Sequence, residues 1–176
     1  MAEANLRPAA PVDARALHAL VHGAYRGELA RRGWTHEADL LDGNRIDIAT
    51  LDAVIADPAQ VVLLAERDGG LVGCVQVTDK GRGLAYLGML TVDPALQGAG
   101  LGRALIAAAE ATARARFRAR RMEMTVIVQR AELIDWYGRR GYLPTGETRP
   151  FPATDPRFGL PKRDDLAFVV LARDLA

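Results

Sequence analysis

The chain has 176 residues, 49% of them hydrophobic and 26% charged, with a formal net charge of +1. That balance supplies apolar material for a core, and it excludes a disordered chain, a collagen-like chain and a polybasic nucleic-acid tail. The single Cys74 excludes an internal disulfide framework and any multi-cysteine metal site. One domain over residues 1–176 is expected at this length. The start, MAEANLRPAAP, carries an early acid and no apolar stretch, so no signal peptide is expected. No apolar run reaches the ~20 residues of a membrane span, and a cytoplasmic location is expected.

In chain order, residues 5–9 read as a short first strand. Asp13 is placed as the N-cap of a helix from Ala14 to Arg31, with Leu17, Leu20, Val21 and Ala24 on one face. The polar stretch Gly33-Trp34-Thr35-His36-Glu37-Ala38-Asp39 follows, then a weaker helix over residues 45–56. At Val61-Val62-Leu63-Leu64-Ala65 the pattern becomes that of a strand. Asp68-Gly69-Gly70 makes a hairpin turn, and Leu71 to Thr78 returns. Leu84 to Val92 is a third apolar run, stopped by Asp93-Pro94. A glycine-rich turn opens an alanine-rich helix over Gly100 to Ala119. Met122 to Val128 is a further strand, and Ala131 to Arg140 a helix stopped by Gly141. Tyr142-Leu143 opens a short strand, and Asp165 to Ala172 is the last, after a long proline-rich loop. This order predicts an α/β architecture built on a mixed sheet with helices packed on it, rather than a doubly wound parallel fold.

The segment Leu90-Thr91-Val92-Asp93-Pro94-Ala95-Leu96-Gln97-Gly98-Ala99-Gly100-Leu101-Gly102-Arg103 carries the chemistry. Glycines at alternate positions allow a ligand to approach the main chain closely. The turn and the first helical residues present unpaired N–H groups at the positive end of the helix, which suits a phosphate or pyrophosphate. Arg103 adds a cation. A P-loop is excluded because Gly102 is followed by Arg103-Ala104 instead of Lys-Ser/Thr. A dinucleotide fingerprint is excluded by the G-x-G-x-G spacing and by Arg120-Arg121 where an acid is required.

Two motifs resemble the GNAT superfamily of acetyl-CoA-dependent N-acetyltransferases. Its signature Arg/Gln-x-x-Gly-x-Gly/Ala is matched by Gln97, Gly100 and Gly102. Further on, Tyr137-Gly138-Arg139-Arg140-Gly141-Tyr142 matches its helical tyrosine followed by x-x-x-Gly-Phe/Tyr. The resemblance implies a GNAT-like fold, with a mostly antiparallel central sheet, two splayed parallel central strands and flanking helices. It implies acetyl-CoA as cosubstrate and no metal. The pyrophosphate would sit on Gln97, Gly98, Ala99, Gly100, Leu101, Gly102 and Arg103, and the pantetheine arm would pair with free main-chain groups of Leu90, Thr91 and Val92. The Leu90 N–H would polarise the thioester carbonyl.

Acyl transfer to a primary amine needs a neutral amine and a protonated leaving thiolate. Tyr137 matches the family's general acid, a phenol of ordinary pKa about 10 donating to a thiolate of about 8.5. The base is open. The strand from Leu84 to Leu90 lacks the glutamate many relatives carry, and Glu37, His36, Asp39 or Tyr86 through water are candidates, Glu37 first among them. Arg130 stands where relatives often have an asparagine.

The residues Trp34, Glu37 and Asp39 favour a small cationic amine as acceptor, and a protein amine stays open. The loop over residues 146–163 is expected to order against the acceptor pocket through Phe151 and Phe158, setting specificity with Trp34, Glu37 and Arg45. The arginines from Arg114 to Arg121 complement a helix C-terminus and do not signal nucleic acid. His18 and His22 lack a third ligand, and Cys74 is read as core. No membrane partner is expected, and a homodimer stays open. The alternative reading is a non-catalytic acyl-CoA-binding module on the same fold.

Overall fold

The computed structural model describes residues 4–155 and 158–175. A seven-stranded sheet has the order β1 (Asn5–Pro8), β3 (Gln60–Arg67), β4 (Gly70–Gly81), β5 (Leu84–Val92), β6 (Arg121–Ile127), β9 (Ala167–Asp174), β7 (Leu143–Pro150). Neighbours are antiparallel except β5 and β6, which run parallel. A two-residue pair joins β2 (Leu41–Asp42) to β8 (Leu160–Pro161).

The central strands are apolar on both faces because helices cover both. On β3, Val61, Leu63 and Ala65 pack toward α4 (Leu101–Phe117), together with Leu105, Ile106 and Ala109 of that helix. Val62 and Leu64 pack the other way, against Leu17 and Val21 of α1 (Ala14–Tyr25) and Leu51 and Val54 of α3 (Ile48–Ala56). Tyr142 is fully buried and donates to Glu110 at 2.9 Å, which ties the end of α5 (Ala131–Gly138) to α4. Cys74 lies in the core, and burial pushes its thiol up to about 12, so it is inert as a nucleophile.

Three expectations are corrected. The first helix stops at Tyr25, because Arg26 is extended (φ −130°, ψ 157°) and turns a buried guanidinium inward. A one-turn α2 (Gly27–Ala30) follows. Asp13 is not a side-chain cap for α1; its carboxylate accepts from the Ala10 N–H at 2.7 Å and pairs with Arg7 at 2.7 Å, which holds it below the usual carboxylate range. The strand opening at Leu143 runs to Pro150, into what reads as loop. It is a mostly exposed edge strand that kinks at Gly146 (φ +87°) and re-registers with Thr148 opposite Val169. An edge strand facing solvent carries no apolar alternation, so pairing with β9 alone defines it.

Among the described residues, no helix is long and apolar enough to cross a membrane.

Candidate active site

The site begins where the sheet opens. Parallel pairing of β5 and β6 covers only Leu84–Tyr86 against Arg121–Glu123, after which the strands part. Met89 has φ +51°, and the β4–β5 register shifts between Cys74 and Gln76. In a regular strand Leu87 and Met89 would share a face. Here Leu87 packs with α4 and Met89 with α1 and α3, as a bulge requires.

Beyond the bulge lies a cleft of about 490 Å³ between the end of β5, the turn before α4, and α5. Leu90, Thr91, Val92, Gln97, Gly98, Gly100, Leu101, Gly102 and Arg103 line it. Ala99 does not: between two left-handed glycines its methyl is exposed. Gly98 and Gly100 have φ of +87° and +85°, which is why glycine stands there. Gly102 also packs closely inside the protein, since a Cβ there would lie 3.3 Å from the Trp136 ring. In α4, the Arg103 and Ala104 amides both reach the Gly100 carbonyl, at 3.0 and 3.1 Å, and those of Leu101 and Gly102 are the helix's open N-terminal donors.

The main chain of β5 is less free than expected. The buried Tyr25 hydroxyl donates to the Leu90 carbonyl at 2.6 Å, and burial pushes this phenol up to about 12. A buried hydroxyl needs an acceptor, and the splayed strand offers one. The Gln97 side chain accepts from the Trp34 N–H at 2.9 Å and reaches toward the Val92 carbonyl at 3.4 Å, tying the polar stretch after α2 to the turn. Arg139 and Arg140 join Arg103 at the cleft, Arg140 lying 3.4 Å from the Trp136 ring centroid. The sequence reading missed this cationic rim, although Arg139-Arg140 lies inside the quoted motif.

A second cavity, about 140 Å³, is lined by Tyr86 to Leu90 of β5 and Met124 to Ile127 of β6. Tyr25, Leu90, Arg130, Leu133 and Tyr137 line both. Tyr137 is held there by edge-to-face contacts with Trp136 (5.1 Å) and Tyr142 (6.2 Å). Burial pushes its phenol far above the ordinary value, the charges of Arg130 and Arg140 opposing. Among the described residues none hydrogen bonds its hydroxyl.

Glu37 lines the second cavity with both oxygens engaged. Arg26 donates to one at 2.9 Å and Arg130 to the other at 3.2 Å, and all three residues are buried. The two guanidiniums thus fix the carboxylate between them. Glu37→Ala is expected to cost about 3–5 kcal/mol, read from the denaturant midpoint, because it leaves two buried cations unpaired. Asp39 pairs with Arg31 at the surface and, like His36, lines neither cavity. Tyr86 lines the second cavity, within 2.7 Å of the Thr125 hydroxyl. Trp34 faces the larger cleft beside Trp136, whereas Arg45, Phe151 and Phe158 line the smaller cavity. Tyr25 and Arg26 gave no sequence signal, since both end a helix that reads as continuous.

The fold matches solved structures over nearly its whole length. Salmonella typhimurium yncA, solved with its cofactor acetyl-CoA, superposes with a TM-score of 0.72 at 20% identity, covering 99% of this chain and 95% of that one. Brucella melitensis ribosomal-protein-alanine N-acetyltransferase gives 0.72 at 20% identity (97% and 99%). A spermidine N-acetyltransferase SpeG chimera from Vibrio cholerae and hSSAT gives 0.69 at 17% (99% and 96%). No curated protein matches the sequence. The family model described as Acetyltransferase (GNAT) family matches residues 20–142, more than half of the chain and all of the cleft and turn described above. With the bulged β5, the glycine turn and the splayed parallel strands in place, the chain belongs to the GNAT acetyltransferase family.

Proposed function

We propose that this protein transfers an acetyl group from acetyl-CoA to a primary amine by direct attack. The observation that carries this reading is the position of Tyr137, which lines both cavities at their junction with no described partner on its hydroxyl. The cleft suits the cosubstrate: left-handed glycines open the turn, the first amides of α4 are helix N-terminal donors of the kind that bind a pyrophosphate, and Arg103, Arg139 and Arg140 supply positive charge. Acetyl-CoA supplies the acyl group as a thioester; a C–N bond forms, a C–S bond breaks, the nitrogen loses one proton and the sulfur gains one.

Tyr137 moves that proton. Its phenol is a weaker acid than the ordinary tyrosine, so donation to a thiolate is uphill on its own. Tyr137 therefore gives its proton to sulfur as the acylated nitrogen gives one up, and the strongly basic phenolate is refilled at once. Glu37 positions Arg130 and Arg26 and removes no proton in this scheme. The amine binds neutral, having shed its first proton to water.

Thiol release from acetyl-CoA with a panel of amines tests the reaction; turnover with at least one is expected. Because burial raises the Tyr137 phenol, it stays protonated through neutral and mildly alkaline pH. The rate is expected to rise with pH toward the pKa of the amine and to show no alkaline fall below about pH 10. A fall there would place the acid elsewhere. A second reading, an acyl-CoA-binding module without catalysis, draws on one observation: Glu37 is the only carboxylate among the described residues lining either cavity, and it is already paired. Tight CoA binding with no thiol release from any amine would support it.

A further inference from the structure

The smaller cavity has the wrong charge for a cationic acceptor. Its described lining holds three guanidiniums, Arg26, Arg45 and Arg130, against the single carboxylate of Glu37. Glu37 is shared by Arg26 and Arg130, so the cavity keeps an excess of positive charge. Arg45 is half-buried, stacked at 5.3 Å over the Tyr25 ring, and pairs with no carboxylate among the described residues. Arg26 and Arg130 are more than nine-tenths buried, and the Nε–H of each lacks a hydrogen-bond partner. A buried, charged donor left without an acceptor costs more than an ordinary lost hydrogen bond and calls for an explanation.

We propose, resting on the transfer reaction above, that the acceptor is an amine that also carries a carboxylate, a compound of amino-acid type. A carboxylate offers lone pairs in the plane that guanidinium donors prefer, and it neutralises the excess charge. Arg130 lines both cavities, so a carboxylate held there keeps an amine on the neighbouring carbon beside Tyr137. Phe151, Phe158, Phe168 and Met124 form an apolar wall for the side chain. The volume, about 140 Å³, is close to that of an engineered cavity that takes up benzene, and it suits a single amino acid better than a long polyamine. The same cations repel an extended polycation. This reverses the preference for a cationic amine drawn from Trp34, Glu37 and Asp39, of which only Glu37 lines this cavity.

The test compares alanine, leucine, methionine and glutamate with their carboxamides, their decarboxylated amines and spermidine, reading thiol release from acetyl-CoA. At least one amino carboxylate is expected to exceed its own carboxamide by about 100-fold or more in kcat/KM, since a site built to bind a charged group rejects the analogue that lacks it. Arg45→Gln is expected to shrink that ratio at least tenfold, with Arg45→Lys restoring part of it. Equal or better turnover of carboxamides or spermidine overturns the carboxylate site and leaves the transfer reaction standing. Calorimetry of the same compounds into the protein saturated with CoA reads the site without chemistry. Carboxylate binding there without turnover of any amine supports the site and overturns the transfer reaction, and no carboxylate binding overturns the site.

Discussion

Tyr137→Phe is expected to lower kcat by about 100- to 10,000-fold, the range for loss of a positioned acid, while the Kd for CoA stays within about twofold. The substitution is conservative in packing: the ring contacts with Trp136 and Tyr142 persist, and only the hydroxyl goes. No described residue hydrogen bonds that hydroxyl, so folding stability is expected to hold or to rise slightly as a buried polar group is removed. A loss of kcat at unchanged melting temperature and unchanged CoA affinity therefore isolates the proton transfer. Wild-type turnover in this variant would remove Tyr137 from the reaction and leave the cleft a binding site only.

The second large effect is expected from Gly100→Glu, which should raise the Kd for CoA at least about 100-fold in calorimetry, a loss of roughly 2.7 kcal/mol. Three causes add. The backbone at φ +85° disfavours any side chain. A Cβ there would stand 3.3 Å from the Arg103 guanidinium, so the new carboxylate would capture that cation. The same carboxylate would occupy the open N-terminus of α4, where the pyrophosphate is proposed to sit. Gly100→Ala separates these causes, since it carries the backbone strain without the charge and is expected to bind CoA more tightly than the glutamate variant. A folded Gly100→Glu protein that binds CoA as the parent does would sink the proposed phosphate site.

Much of the fold was legible because its signals are local. The run from Val61 to Ala65, the turn at Asp68-Gly69-Gly70 and the apolar face of the long α4 each follow from short-range periodicity and turn chemistry. The glycine turn was legible for the same reason: Gly98 and Gly100 take left-handed backbone that few other residues tolerate. The break at Arg26 was not, because it follows from a salt link to Glu37, eleven positions away, and from backbone carbonyls at Asp42 and Phe158. Nor was the full length of β7, whose pattern is blank until β9 lies beside it.

At the site, the sequence alone determined the glycine turn and the helical phenol that share one cleft, since motif spacing on the strand, turn and helices sets those positions. Only the tertiary structure decided the surroundings of that phenol and of the nearby acid. Burial weakens Tyr137 as an acid, and two arginines remote in sequence occupy both oxygens of Glu37. The charge of the smaller cavity likewise arises from Arg26, Arg45 and Arg130, brought together across the splayed strands. Desolvation and long-range pairing depend on distances between segments far apart in the chain, which no local pattern of residues encodes.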